Sequence, residues 1–107
     1  MSHLEALLAQ QLTLAGLGDF VTQFKAVEGR RFAWDFSWPE HRLLVEVQGA
    51  VFSRGKSGHT SGMGIHRDGE KANLATLAGW RVLSAADHHI KGGQALLWIQ
   101  EALKEAV

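Results

Sequence analysis

The sequence predicts an α/β fold with its elements in the order α-β-β-β-α-β-α. Two observations carry this reading. Short stretches alternate apolar and polar residues with period two, whereas longer stretches at both ends and after residue 64 carry apolar residues at helical spacing. The single proline, Pro39, and glycines such as Gly16, Gly49 and Gly79 stand at the junctions between these stretches. At 107 residues the chain is expected to form one domain, 1–107, large enough for a single core.

The first helix is expected from Ser2 to about Gly16, with Leu4, Leu7, Leu8 and Leu14–Ala15 along one side and Gly16 and Gly18 ending it. Ser2 and Glu5 have capping-box spacing. Asp19–Lys25, with Phe20, Val21 and Phe24, reads as the first strand, and Glu28-Gly29-Arg30 turns the chain into the second. In Arg31–Trp38 the aromatics Phe32, Trp34, Phe36 and Trp38 take alternate positions, leaving Arg31, Ala33, Asp35 and Ser37 on the opposite face. Pro39–Arg42 supplies a turn. Leu43–Gln48 alternates again, with Leu43, Val45 and Val47 on one face and Leu44, Glu46 and Gln48 on the other.

Ala50–Met63 holds Gly55, Gly58 and Gly62 among serines and threonines and is expected to be an exposed loop. A helix follows from about Gly64 to Ala78, with Ile65, Ala72, Ala75, Leu77 and Ala78 available to a core and Gly79 at its C′ position. Trp80–Ser84 is expected as the last strand and Asp87-His88-His89 as a loop. Gln94–Ala106 forms the final helix, with Leu96, Ile99, Leu103 and Ala106 on one face. The adjacent His88 and His89 lack the spacing that would make them a zinc pair on a helix.

The centre of the chain carries the chemistry. Pairing Trp38 with Leu43 makes the two apolar faces of the hairpin coincide and sets Asp35 directly opposite Glu46. Their Cβ atoms would then be about 4.5–5.5 Å apart, with Gln48 on the same face. A slip of one residue would put the aromatics in water and the acids in the core, so the pattern sets the register. Opposed like charges destabilise a sheet. A hard divalent cation with oxygen ligands is the natural group to sit between them.

Composition narrows the classes. Apolar residues make up 46% of the chain, basic and acidic residues number 11 each, and there is no cysteine. Disulfides and thiolate metal sites are therefore excluded. No apolar run approaches the ~20 residues of a membrane span, and no signal peptide is visible, so a cytoplasmic protein is expected. A pI near 7 argues mildly against a protein that only binds nucleic acid non-specifically. Charge is nevertheless uneven. Arg54, Lys56, Arg67 and Lys71, with His59 and His66, face only Asp68 and Glu70 in the same stretch.

Asp35, then Glu46-x-Gln48 on the next strand, resembles the metal-binding motif of the PD-(D/E)XK nuclease superfamily. With GHTSGMG and RDGEKANLATLAGWRVL downstream, the string is similar to small phage and bacterial very-short-patch-repair-like domains of that group, over roughly Glu5 to Ser84. The resemblance implies a restriction-endonuclease-like core, a mixed sheet flanked by helices. It implies a DNA endonuclease using Mg²⁺ or Mn²⁺, located in the cytoplasm, or in the host cell's if phage-encoded. Asp35, Glu46 and the Val47 carbonyl would be metal ligands, and Glu5 is either a further support of the metal or only the cap residue.

The chain departs from the pattern at Gln48, where the family has lysine. Glutamine can position a water but carries no charge. Lys71 is the expected stand-in, or else a surface partner of Glu70. Arg54, Lys56, His59, His66 and Arg67 are expected to contact DNA. A homodimer would cut both strands. The alternatives are a catalytically weak or inactive nucleic-acid-binding module of the same fold, and a hydrolase of another phosphoester.

Overall fold

The computed structural model describes residues 1–49 and 62–104, with side chains described for 1–49 and 69–104. The elements run α1 (His3–Leu14), β1 (Val21–Phe24), β2 (Trp34–Trp38), a 3-10 turn (Pro39–His41), β3 (Leu43–Gln48), α2 (Gly62–Leu77), β4 (Arg81–Ala86), α3 (Asp87–Lys91) and α4 (Gln94–Leu103). The strands form one mixed sheet in the order β1-β2-β3-β4. β1 and β3 run antiparallel to β2, and β4 runs parallel to β3. The fold is α/β, with helices on both faces of the sheet.

The hairpin takes the expected register: Trp38 pairs with Leu43, Ser37 with Leu44 and Phe36 with Val45. Arg42, at φ 53°, closes the turn, its amide donating to the Pro39 carbonyl. Its guanidinium lies over the Trp80 ring, 4.4 Å from the centroid, and ties the turn to the start of β4.

Two cores lie on opposite faces. On one, Phe36, Trp38, Leu43, Val45 and Ala85 pack against Leu8 and Leu12 of α1, Ile90 of α3, and Ala95 and Ile99 of α4. On the other, Trp34, Leu44 and Trp80 pack against Ala75 of α2, with Phe24, Phe32 and Val82 at their margin.

That second core corrects the expected alternation. Trp34 leaves the face of Phe36 and Trp38 and joins Leu44, a residue assigned by pattern to the polar face. The cause lies at the step between them. Gln23 of β1 adopts a left-handed backbone, φ 52°. Beyond it Phe24 pairs with Trp34, and both rings enter the pocket around Trp80. Three large aromatics gathered under α2 bury more apolar surface than strict alternation would.

Helix boundaries also differ in detail. The Ser2 hydroxyl accepts the Glu5 amide, forming the expected N-cap of α1, but Leu14 is 81% exposed and Leu12 takes the buried position. α2 begins at Gly62, inside the stretch expected to be loop. Its Leu77 is 82% exposed, as the helix turns that position away from the sheet, and Ala78 beyond its end is exposed; Ala75 is buried as expected. Asp87–Lys91 is a helix and not a loop: Ile90 is fully buried, and the His89 ring accepts the Ala86 amide at 3.0 Å. Among the described residues no helix is long and apolar enough to cross a membrane.

Candidate active site

The site forms where the second core ends. Leu44 and Val82 are paired neighbours on the face beneath α2, and the next pair outward on that face is Glu46 and Ser84. One turn of sequence thus changes the face from greasy to polar while α2 still passes over it. Glu46, Gln48, Lys71, Trp34 and Ser84 line a small recess there.

Asp35 is held at the edge of this recess. The paired hairpin register ends at Phe36 and Val45; Asp35 is the next residue out on β2, as Glu46 is on β3. Its Oδ2 accepts the Val47 amide at 2.7 Å, so the carboxylate takes up a backbone donor at the open end of the hairpin. A hydrogen bond from a backbone N–H to a carboxylate is among the stronger kinds. On the other side Gln23 Nε2 approaches Asp35 Oδ1 at 3.5 Å.

Lys71 comes down from α2. Its Nζ donates to Glu46 Oε1 at 3.0 Å and to the Ala33 carbonyl at 2.8 Å, and lies 4.8 Å from the centroid of the Trp34 ring. The Lys71 side chain is only 16% exposed and that of Glu46 26%. Glu70, its neighbour, turns away to pair with Arg30. Lys71 therefore pairs with Glu46 in the recess and not with Glu70 at the surface. α2 places successive residues about 100° apart, which lets Glu70 and Lys71 serve different parts of the β1–β2 connection.

Glu46, Gln48 and Lys71 thus share the recess, and Asp35 is tied to the amide of Val47, which lies between Glu46 and Gln48 on β3. Glu5 lies in the first turn of α1, its amide on Ser2; among the described residues no third acid, histidine or cysteine joins Asp35 and Glu46 in a three-ligand cluster. Arg54, Lys56 and His59 lie outside the described residues. His66 and Arg67 fall in the first half of α2, and their side chains lie outside that set. Three participants escaped the sequence: Gln23, the Ala33 carbonyl and the Trp34 ring beneath Lys71. None has a motif; each depends on the left-handed step in β1 and the docking of α2.

The donor set suits a hard cation. Two carboxylates and a neighbouring backbone carbonyl offer oxygen alone, the preference of Mg²⁺ and Mn²⁺, and the remaining positions of a Mg²⁺ shell are ordinarily filled by water. A broader hollow between β4 and α4, lined by Trp98, Glu101 and Ala102, shares Val82 and Ser84 with this recess. Compared with family models, curated proteins and solved structures, the chain matches none of them.

Proposed function

We propose that this chain is a metal-dependent DNA endonuclease built on a restriction-endonuclease-like core. The observation that supports it most is Lys71: a cation from a different layer is delivered onto Glu46, beside Asp35, where the strand motif lacks its lysine. The mixed β1-β2-β3-β4 sheet between helices agrees with the core that the resemblance implies. On this reading the protein works in the cytoplasm, its own or a host cell's, and pairs as a homodimer to cut both strands.

Asp35, Glu46 and the Val47 carbonyl would hold one or two Mg²⁺ or Mn²⁺ ions. When bound, such an ion polarises a phosphodiester oxygen and lowers the pKa of a water. Gln48, on the strand face of Glu46, would orient the attacking water through its amide. Lys71 would oppose the negative charge that grows on the phosphoryl oxygens, and preorganised charge of this kind is usually a large catalytic contribution. The P–O bond to the 3′-oxygen breaks as the water oxygen bonds to phosphorus, and the leaving oxygen gains a proton.

Incubating the pure protein with supercoiled, linear, single-stranded and branched DNA in Mg²⁺ or Mn²⁺ tests this directly. Cleavage that disappears with EDTA is expected. The rival reading, an inactive binding module of the same fold, predicts DNA binding without cleavage and no heat of Mg²⁺ or Mn²⁺ binding in a calorimetric titration. A third, hydrolysis of another phosphoester, predicts turnover of a small phosphodiester but not of DNA.

A further inference from the structure

The connection between β1 and β2 carries charge that the endonuclease reading does not use. Lys25, Arg30 and Arg31 lie within it, opposed there only by Glu28, in a chain whose net charge is zero. Lys25, Arg30 and Arg31 are all exposed. The segment is physically continuous with the site. Gln23 at its start reaches Asp35, the Ala33 carbonyl at its end receives Lys71, and Arg30 pairs with Glu70.

Its side chains are stacked in a particular way. The Arg30 guanidinium lies over the Phe32 ring at 4.7 Å, Phe32 meets Trp34 edge-on at 6.4 Å, and Trp34 lies under Lys71 at 4.8 Å. A cation, two aromatic rings and a second cation thus follow one another from the surface inward to Glu46. Such stacking holds an arginine in place beside a π face, which lowers the entropy lost when a phosphate or base docks on it. Arg30 is partly neutralised by Glu70; Lys25 and Arg31 carry the net charge of the rim.

Resting on the endonuclease reading, we infer that Lys25, Arg30, Arg31 and Phe32 form a docking surface for the DNA backbone next to the scissile phosphate. Lys25 and Arg31 contact phosphates, and Arg30, seated on Phe32, lies over the adjoining sugar or base. DNA backbone is favoured because the surface offers three exposed cations beside a half-buried aromatic ring.

The test is the binding of a fluorescent DNA duplex by the full-length protein, without cleavage, in EDTA across a salt series. Lys25→Ala/Arg31→Ala should weaken binding at least tenfold at low salt. It should also make the slope of log K against log salt shallower by about 2, given ~0.9 per phosphate contact. Phe32→Leu should weaken binding a few-fold with the slope unchanged. Lys91→Ala/Lys104→Ala removes the same charge from α3 and the end of α4 and should change affinity less than about twofold. Equal losses in both double variants, or none in the first, would overturn the surface while leaving the endonuclease reading intact. A wild-type protein that binds no DNA would overturn both. Mn²⁺ titration and circular dichroism of each variant should match wild type, and a changed Mn²⁺ affinity would instead place the segment's role at Asp35.

Discussion

Lys71 Nζ stands 3.0 Å from Glu46 Oε1, joining a helix on one layer to a carboxylate on the sheet beneath it. The Ala33 carbonyl and the Trp34 ring hold the ammonium from two further sides. A lysine with three partners has lost most of its rotamer freedom in the folded state, so its charge is positioned before any substrate arrives. That converts a helix residue into part of the β2–β3 site.

Lys71→Met should therefore lower the rate of metal-dependent cleavage at least tenfold, roughly 1.4 kcal/mol of transition-state stabilisation. Methionine keeps an apolar stem over Trp34 and removes only the charge. Losing a half-buried ion pair and a bond to Ala33 should also cost about 1 kcal/mol of stability. For a domain of this size that is a fall in Tm of about 4–8 °C. Normal cleavage by this variant would reduce Lys71 to a structural tie.

Asp35 and Glu46 are expected to be indispensable for cleavage, but not for the stability reason that their opposition suggests. Two facing acids ought to repel, and removing one ought to stabilise the protein. Each instead has a partner: Val47 N–H for Asp35 and Lys71 for Glu46. Asp35→Ala should leave the Val47 amide unpaired and cost about 1–3 kcal/mol. Asp35→Asn retains an oxygen acceptor and should cost less, while abolishing cleavage as completely. Thermal melts and cleavage assays on the Ala and Asn variants separate the two roles. Cleavage by Asp35→Asn at wild-type rate would remove Asp35 from the site. Glu46→Ala should abolish cleavage in the same way.

The β2–β3 hairpin was legible because two independent alternations coincide in only one register, the one that pairs Trp38 with Leu43. Trp34 was not legible. Its change of face follows from a left-handed residue on a neighbouring strand, and a pattern read along β2 alone contains no trace of that. Helix α3 was missed because five residues are too few to display a helical period; burial of Ile90 is a tertiary fact. Lys71 could be proposed from the resemblance but not distinguished from a partner of Glu70, since adjacent helix residues separate only when the helix is docked.

Gln23 offers a test of the strained step. A non-glycine residue in the left-handed region costs of order 1 kcal/mol. Gln23→Gly should relieve that strain and leave stability unchanged or up to about 1 kcal/mol higher, even though glycine enlarges the entropy of the unfolded chain. Gln23→Val, a branched residue that tolerates this backbone poorly, should be destabilising by about 1–2 kcal/mol. Both lose the amide near Asp35 Oδ1 and should slow cleavage a few-fold. Equal melting temperatures for Gly and Val would show that residue 23 does not hold this conformation in solution.

Gln48 supplies the last test, because it shares the recess with Glu46 and Lys71. A lysine at position 48 would restore the strand cation of the motif that this sequence resembles. In the wild-type background, Gln48→Lys should keep or raise cleavage. Crowding two ammonium groups beside one Glu46 is tolerable there, since Asp35 supplies a second negative charge across the hairpin. In the Lys71→Met background, the same change should recover part of the lost rate, as the two lysines would oppose the same growing charge from different elements. The comparison is a double-mutant cycle on cleavage rate. A rate for the double variant that exceeds Lys71→Met by severalfold fits shared electrostatics. If the two changes simply multiply, with no rescue, the cations act at different points. Incomplete recovery is expected in any case, because Lys71 is held by Ala33 and Trp34 and a lysine on β3 has no such seat. A misplacement of about 1 Å can cost two orders of magnitude in rate.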